Sequence, residues 1–236
     1  MGKVYLVGAG PGDKELITLK AINILKKADV IVYDALINKE ILNYAKEGAE
    51  LIYVGKRKDK HTLKQEEINK LLVKKAKEGK IVVRLKGGDP FIFGRGGEEI
   101  LELKKNNIPY EVVPGVTSAI AVPEVFGIPL THRGVAKSLT IVTGHEMEGE
   151  NKVDFSKFQA DTLVILMGIS NLDKIVNQLL KSRSENTPIA IITNAFFGNE
   201  KIVKGTLKDI LEKAKKEDIK PPGIIVVGDV VSLMDS

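Results

Sequence analysis

Two glycine-rich loops hold the residues best suited to gripping a ligand. The first, Gly8–Asp13 (GAGPGD), follows the apolar run KVYLV and precedes a helical pattern. That is the setting of a dinucleotide fingerprint, but G-x-G-x-x-G requires glycine where Asp13 stands. Pro11 also removes a backbone N–H donor, and a pyrophosphate wants donors with no carboxylate beside them. A Walker-type phosphate loop fails too, because neither GKS nor GKT follows. Taken alone, this loop reads as a tight strand–helix turn. The second loop, Lys86–Glu99 (KGGDPFIFGRGGEE), also ends an apolar run. Its glycines and Pro90 allow close backbone approach to a ligand. Phe91, Ile92 and Phe93 are apolar where a solvated loop should be polar, as a lining for a flat or apolar group would be.

Asp13 and Asp89 each place a carboxylate beside open backbone. Such loops suit a ligand bearing hydroxyls or positive charge rather than a polyphosphate. S-adenosylmethionine, with adenine, ribose, sulfonium and ammonium groups, is one such ligand. An Ω-loop packed on its own aromatics is the competing account of Lys86–Glu99, and the residues alone leave both open.

The elements that must carry these loops alternate. Lys3–Val7, Val30–Tyr33, Leu51–Val54, Ile81–Leu85 and Tyr110–Val113 read as strands. Between them, Glu15–Lys27, Asn38–Lys46, a segment opened by a Thr62/Gln65 capping box and ending near Gly79, and Gly97–Asn106 read as helices. The second half carries strands at Leu139–Val142, Thr162–Leu166, Ile189–Ile192, Lys201–Val203 and Ile224–Val227, with helices at Asn171–Lys181 and Leu207–Lys215. Its late strands are closely spaced, which predicts a mixed sheet. The expectation is an α/β protein of two α/β domains, 1–114 and 115–236, with the active-site cleft between them.

Composition narrows the function classes. The 236 residues include no cysteine, which excludes disulfide scaffolds, thiolate metal sites and thiol nucleophiles. Only 5 % are aromatic and none is Trp, so base-stacking platforms are poorly supplied. The net charge is +5, and 31 of the 36 basic residues are Lys. That excess fits a heat-adapted surface, a nucleic-acid partner or a polyanionic substrate, and composition does not choose among them. His61, His132 and His145 lie far apart and show no ligand spacing, so no metal is expected. The most apolar stretch, Val112–Leu130, is broken by three prolines and two glycines and carries Glu111 just before it and Glu124 within it, so no membrane span is expected. With no N-terminal signal pattern, a soluble cytoplasmic protein is the default.

The segments VYLVGAGPGD, ADVIVYDALI, VGKR, RLKGGDPFIFGRGGEE, VPGVTSAIA, GIPLTHRG, TGHE and ILMG occur in that order. The chain resembles the tetrapyrrole methylase superfamily and, within it, the uroporphyrinogen-III C-methyltransferase family. GAGPGD is shared across the superfamily; the combination of YD, VGKR, GRGGEE and PLTHR is much narrower. The resemblance implies S-adenosylmethionine as methyl donor, transfers to C2 and then C7 of uroporphyrinogen III, and passage via precorrin-1 to precorrin-2 for sirohaem- and cobalamin-type tetrapyrroles. It also implies a homodimer, with the cofactor folded into the interdomain cleft. The cofactor positions it implies are Pro11, Gly87, Gly88, Asp89, Ile92, Thr117, Ser118, Met167 and Ala195. It implies Asp34 as proton acceptor and Lys56 as proton donor.

The chemistry can be weighed beside that resemblance. Methyl transfer from a sulfonium needs no metal, so positioning and exclusion of water should dominate the protein's contribution. Asp34 directly follows VIVY, at the strand end where α/β sheets place ligands; a plain turn or N-cap aspartate is the alternative. Lys56 lies in KRKDKH, which without the resemblance reads as a solvated basic loop. Uroporphyrinogen III carries eight carboxylates, so a basic rim is needed. Arg95 and Arg133, with Arg57 and His132, are the candidate substrate contacts, since Arg suits bidentate carboxylate pairing. Met167 follows TLVIL and could equally be core packing. A later precorrin methylase, a basic nucleic-acid-binding module and an NAD-dependent dehydrogenase are the competing functions, the last weakened by Asp13.

Overall fold

The computed structural model describes residues 2–55, 63–145 and 153–233. The chain divides into two compact units, Met1–Ser118 and Ala119–Ser236. Lys56, Arg57, His61 and Thr62 lie outside the described residues.

In the first unit, β1 (Lys3–Gly8), β2 (Val30–Tyr33), β3 (Glu50–Tyr53), β4 (Ile81–Lys86) and β5 (Tyr110–Val113) form one sheet in the order β3-β2-β4-β1-β5. Every pairing is parallel. A parallel sheet is covered on both faces, which explains why its strands read as continuous apolar runs. One face packs Val4, Leu6, Val32 and Val82 against Ile68 and Leu72 of α2 (Gln65–Lys77) and Leu103 of α3 (Gly96–Lys105). The other packs Val7, Ile31, Val83 and Leu85 against Ala21 and Leu25 of α1 (Leu19–Leu25).

Three helix expectations change at their ends. Instead of one helix over 15–27, there is a 3-10 turn at Lys14–Leu16 and then α1. Thr18 causes the break: its backbone is extended, and its hydroxyl accepts from the Ala21 N–H at 3.1 Å as an N-cap. The short helix expected at Asn38–Lys46 is a 3-10 helix, Lys39–Tyr44, with Asn38 as N-cap. The N-cap of α2 is Lys64 rather than Thr62, and the Glu67 carboxylate accepts from the Lys64 N–H at 2.6 Å.

The second unit holds β6 (Leu139–Thr143), β7 (Thr162–Leu166), β8 (Pro188–Thr193), β9 (Lys201–Thr206) and β10 (Gly223–Val227), ordered β6-β7-β10-β8-β9. Only β6 and β7 pair in parallel; the other three pairings are antiparallel. This is the mixed sheet that the strand spacing predicts. One face packs on α5 (Leu172–Leu179) and α6 (Ile210–Lys216), through Ile175, Leu179 and Ile210. The other packs on Ala119 and Val122 of the helix Ser118–Val125, here α4. That helix is absent from the sequence reading, because Pro114, Gly115, Pro123 and Gly127 make the region look like a loop. The two α/β sheets match the expected fold class.

Candidate functional site

Strands β4, β1 and β5 are neighbours, so their C-terminal ends bring three loops side by side. Open α/β sheets bind ligands at this edge. The first two loops are tied by a backbone bridge: Gly88 N–H donates to Gly10 carbonyl at 2.7 Å, and Gly10 N–H to Gly88 carbonyl at 3.2 Å. Glycine is required at this junction. A Cβ on Gly8 would lie 2.5 Å from the Gly115 Cα, and a Cβ on Gly115 would overlap the Gly88 carbonyl oxygen. Gly88 itself has φ +64°, and a Cβ there would meet only Thr117 and Ser118 backbone at 3.8 Å. The structure thus gathers Gly87, Gly88, Asp89, Thr117 and Ser118 beside the loop containing Pro11.

Both acids accept from backbone N–H groups. Asp13 caps the 3-10 turn, its carboxylate accepting from the Glu15 N–H at 2.8 Å. Asp89 Oδ1 accepts from the Phe91 N–H at 2.8 Å, and Oδ2 from the Gly115 N–H at 3.0 Å. Asp89 therefore stitches the second loop to the third, ordering the backbone that a ligand would meet. Beyond it, Phe91, Ile92 and Phe93 are 55 %, 39 % and 43 % exposed. The Phe91 ring also lies over Gly96 of the same loop, where a Cβ would come within 3.0 Å of it.

Asp34 sits after β2, at the same edge of the sheet. Its Oδ1 accepts from the Leu36 N–H at 3.2 Å, and its Oδ2 from Arg84 Nη2 at 3.3 Å. Asp34 thus closes a turn and pairs with a buried arginine. The turn abuts the second loop, since a Cβ on Gly87 would lie 3.1 Å from Leu36 Cβ.

Behind Asp34 lies a buried charge cluster that the sequence reading missed. Arg84 and Lys86, two apart on β4, project to one face and are nearly inaccessible, and Glu99 of α3 is fully buried. Arg84 Nε and Lys86 Nζ each donate to Glu99 Oε1 at 3.0 Å, and Gln65 adds a third bond at 3.2 Å. Burial, then the Arg84 charge, push the Lys86 ammonium below its usual range. The available signal was two charges spaced by two within an otherwise apolar strand. Arg95, whose φ is +60°, is the N-cap of α3 and pairs in a fork with Glu98 at 2.8 Å for both bonds. Its guanidinium is thereby engaged by Glu98, and the bonds from Arg95 hold the Glu98 carboxyl below its usual range.

In the second unit, Met167 and Ala195 share one sheet edge. Met167 follows β7 with φ +55° and is half exposed, so it is not ordinary core packing. Ala195 follows β8 between Asn194 and Phe196, both at positive φ. The edge is close-packed: a Cβ on Gly144 would touch the Gly168 Cα. Three non-glycine residues in the left-handed region mark a locally strained edge, a feature found at ligand-binding sites. His132 and Arg133 lie on an exposed turn closed by paired backbone bonds between His132 and Ala136. Among the described residues no group of three or more His, Cys, Asp or Glu could hold a metal ion, and no helix is long and apolar enough to cross a membrane.

A family model for tetrapyrrole (corrin/porphyrin) methylases matches residues 3–211. The chain belongs to the tetrapyrrole methylase family. Among relatives of this methylase, a uroporphyrinogen-III C-methyltransferase of Methanocaldococcus jannaschii is 69 % identical, covering 100 % of this chain and 99 % of the relative. One of Bacillus subtilis is 52 % identical over 98 % of this chain and 92 % of its own. The crystal structure of a uroporphyrin-III C-methyltransferase from Thermus thermophilus, complexed with S-adenyl homocysteine, superposes with a TM-score of 0.85 at 44 % identity. That match covers 99 % of this methylase and 100 % of the Thermus chain.

Proposed function

We propose that this chain transfers two methyl groups from S-adenosylmethionine to uroporphyrinogen III, at C2 and then C7, giving precorrin-2 by way of precorrin-1. The observation that carries the reading is the glycine junction at the ends of β1, β4 and β5. It leaves the Gly88 backbone bare beside Thr117 and Ser118, a cradle suited to a nucleoside, and relatives 69 % and 52 % identical are named uroporphyrinogen-III C-methyltransferases.

Pro11, Gly87, Gly88, Asp89, Ile92, Thr117 and Ser118 of the first unit, with Met167 and Ala195 of the second, are the residues assigned to the cofactor. When bound, it supplies a methyl group already activated on a sulfonium. The chain's own task is then to orient, to exclude water and to move protons. Asp34, its carboxylate fixed at the strand end, is assigned to accept the proton released as the methylated ring rearranges, and Lys56 to donate one. Arg57, Arg95, His132 and Arg133 are assigned to the substrate's carboxylates. The working form is a homodimer in the cytoplasm.

The test is incubation with S-adenosylmethionine and, in separate reactions, uroporphyrinogen III or precorrin-2, with products scored by mass. A doubly methylated product from uroporphyrinogen III and none from precorrin-2 is expected. Methylation of precorrin-2 alone would make the chain a later enzyme of the same family.

A further inference from the structure

The buried cluster behind Asp34 includes no residue assigned to the cofactor or to the substrate's carboxylates, yet it occupies strand and helix positions that apolar side chains could fill. Burying such charges is costly, and replacement by well-packed hydrophobic groups is often neutral or stabilising. Its geometry shows what it does instead. The Arg84 guanidinium is held on three sides: Nε by Glu99 Oε1 at 3.0 Å, and Nη1 by the carbonyls of Leu85 at 3.1 Å and Val32 at 3.4 Å. Lys86 holds the same Glu99 oxygen at 3.0 Å from the other side. Glu99 lies in the first turn of α3, where the helix N-terminus favours a carboxylate. The remaining arm, Nη2, reaches Asp34 Oδ2 at 3.3 Å, while Leu36 N–H occupies Oδ1.

We propose that Arg84 is a positioning residue for methyl transfer: anchored by Glu99 and the strand carbonyls, it aims the Asp34 carboxylate at the reacting ring. The inference rests on Asp34 being the proton acceptor. A planar fork is needed, because one group must bridge Glu99 and Asp34 while bonding backbone between them. Lysine keeps the charge but cannot span both.

The test is a double-mutant cycle in the full chain, with kcat and KM for uroporphyrinogen III and calorimetric binding of S-adenosylhomocysteine. Arg84→Lys is expected to lower kcat about tenfold while KM and homocysteine-nucleoside affinity stay within about twofold. In an Asp34→Asn background the same change should lower kcat by less than about twofold, since its target is already gone. Independent, multiplying losses would overturn the positioning role while leaving Asp34 in place. Wild-type turnover in Asp34→Asn alone would overturn the Asp34 assignment and this inference with it. If Arg84→Lys does not fold, Glu99→Gln, which weakens the anchor while keeping its shape, enters the same cycle with the same outcomes.

Discussion

Arg95 and Arg133 look equivalent in sequence, each the lone arginine of a short motif, but their surroundings differ. Arg95 is forked to Glu98, whereas Arg133 stands exposed on a tight turn with no ion pair among the described residues. A guanidinium without a neighbour to leave is the readier partner for a substrate carboxylate. Arg133→Ala is therefore expected to raise the KM for uroporphyrinogen III about tenfold with little change in kcat, as loss of one charge-assisted pair should. Steady-state kinetics check this, and an unchanged KM would remove Arg133 from the substrate rim. Single residues were legible as positions, Asp34 and Gly88 each lying just beyond the end of a strand. Arg84, Lys86 and Glu99 were not, because IVVRLK reads as one more strand and nothing local shows a helix fifteen residues later covering it. Asp13 and Asp89 looked alike for a similar reason. Which backbone N–H a carboxylate caps depends on a loop from elsewhere in the chain, such as that of Gly115.

At the scale of elements, the strands were legible because a doubly covered parallel sheet demands unbroken β-branched runs, and KVYLV, VIVY and IVVRL supply them. Helix ends were less legible. Thr18 breaks a sound helical pattern by capping a later start, and α4 forms through Pro123 because its apolar side chains find a sheet face to cover. Between elements, Glu111 of β5 bridges Lys20 of α1 and Lys3 of β1, both at 2.7 Å. The Lys20 bond first, and the Lys3 bond next, hold its carboxyl down from 4.5 to about 2. A depressed carboxylate adds stability that is complete above its unfolded value and lost as pH falls through its folded one. Glu111→Gln should thus lower Tm at neutral pH, with the gap closing as pH falls from 4.5 towards about 2. Because the side chain is about a third exposed, added salt should shrink the gap. Thermal melts across that range decide it; a gap independent of pH would mean the bridge contributes nothing.

At the scale of the molecule, the two units solve different packing problems with the same materials. The first is wholly parallel and ends three strands in glycine loops at one edge. The second is mixed and gathers its strained positions, Met167, Asn194 and Phe196, at an edge of its own. The net charge of +5 is modest, so attraction of a polyanionic macrocycle depends on where the basic residues lie rather than how many there are. That division was visible in the sequence as a change of strand spacing. The three-glycine junction was not, because Gly8, Gly88 and Gly115 are far apart in the chain and meet only once β1, β4 and β5 align. The most direct test of that junction is a crystal structure of the protein with S-adenosylhomocysteine at saturating concentration. The nucleoside should lie against the backbone of Gly87–Asp89 and Thr117. Density anywhere else, or none, would contradict the account.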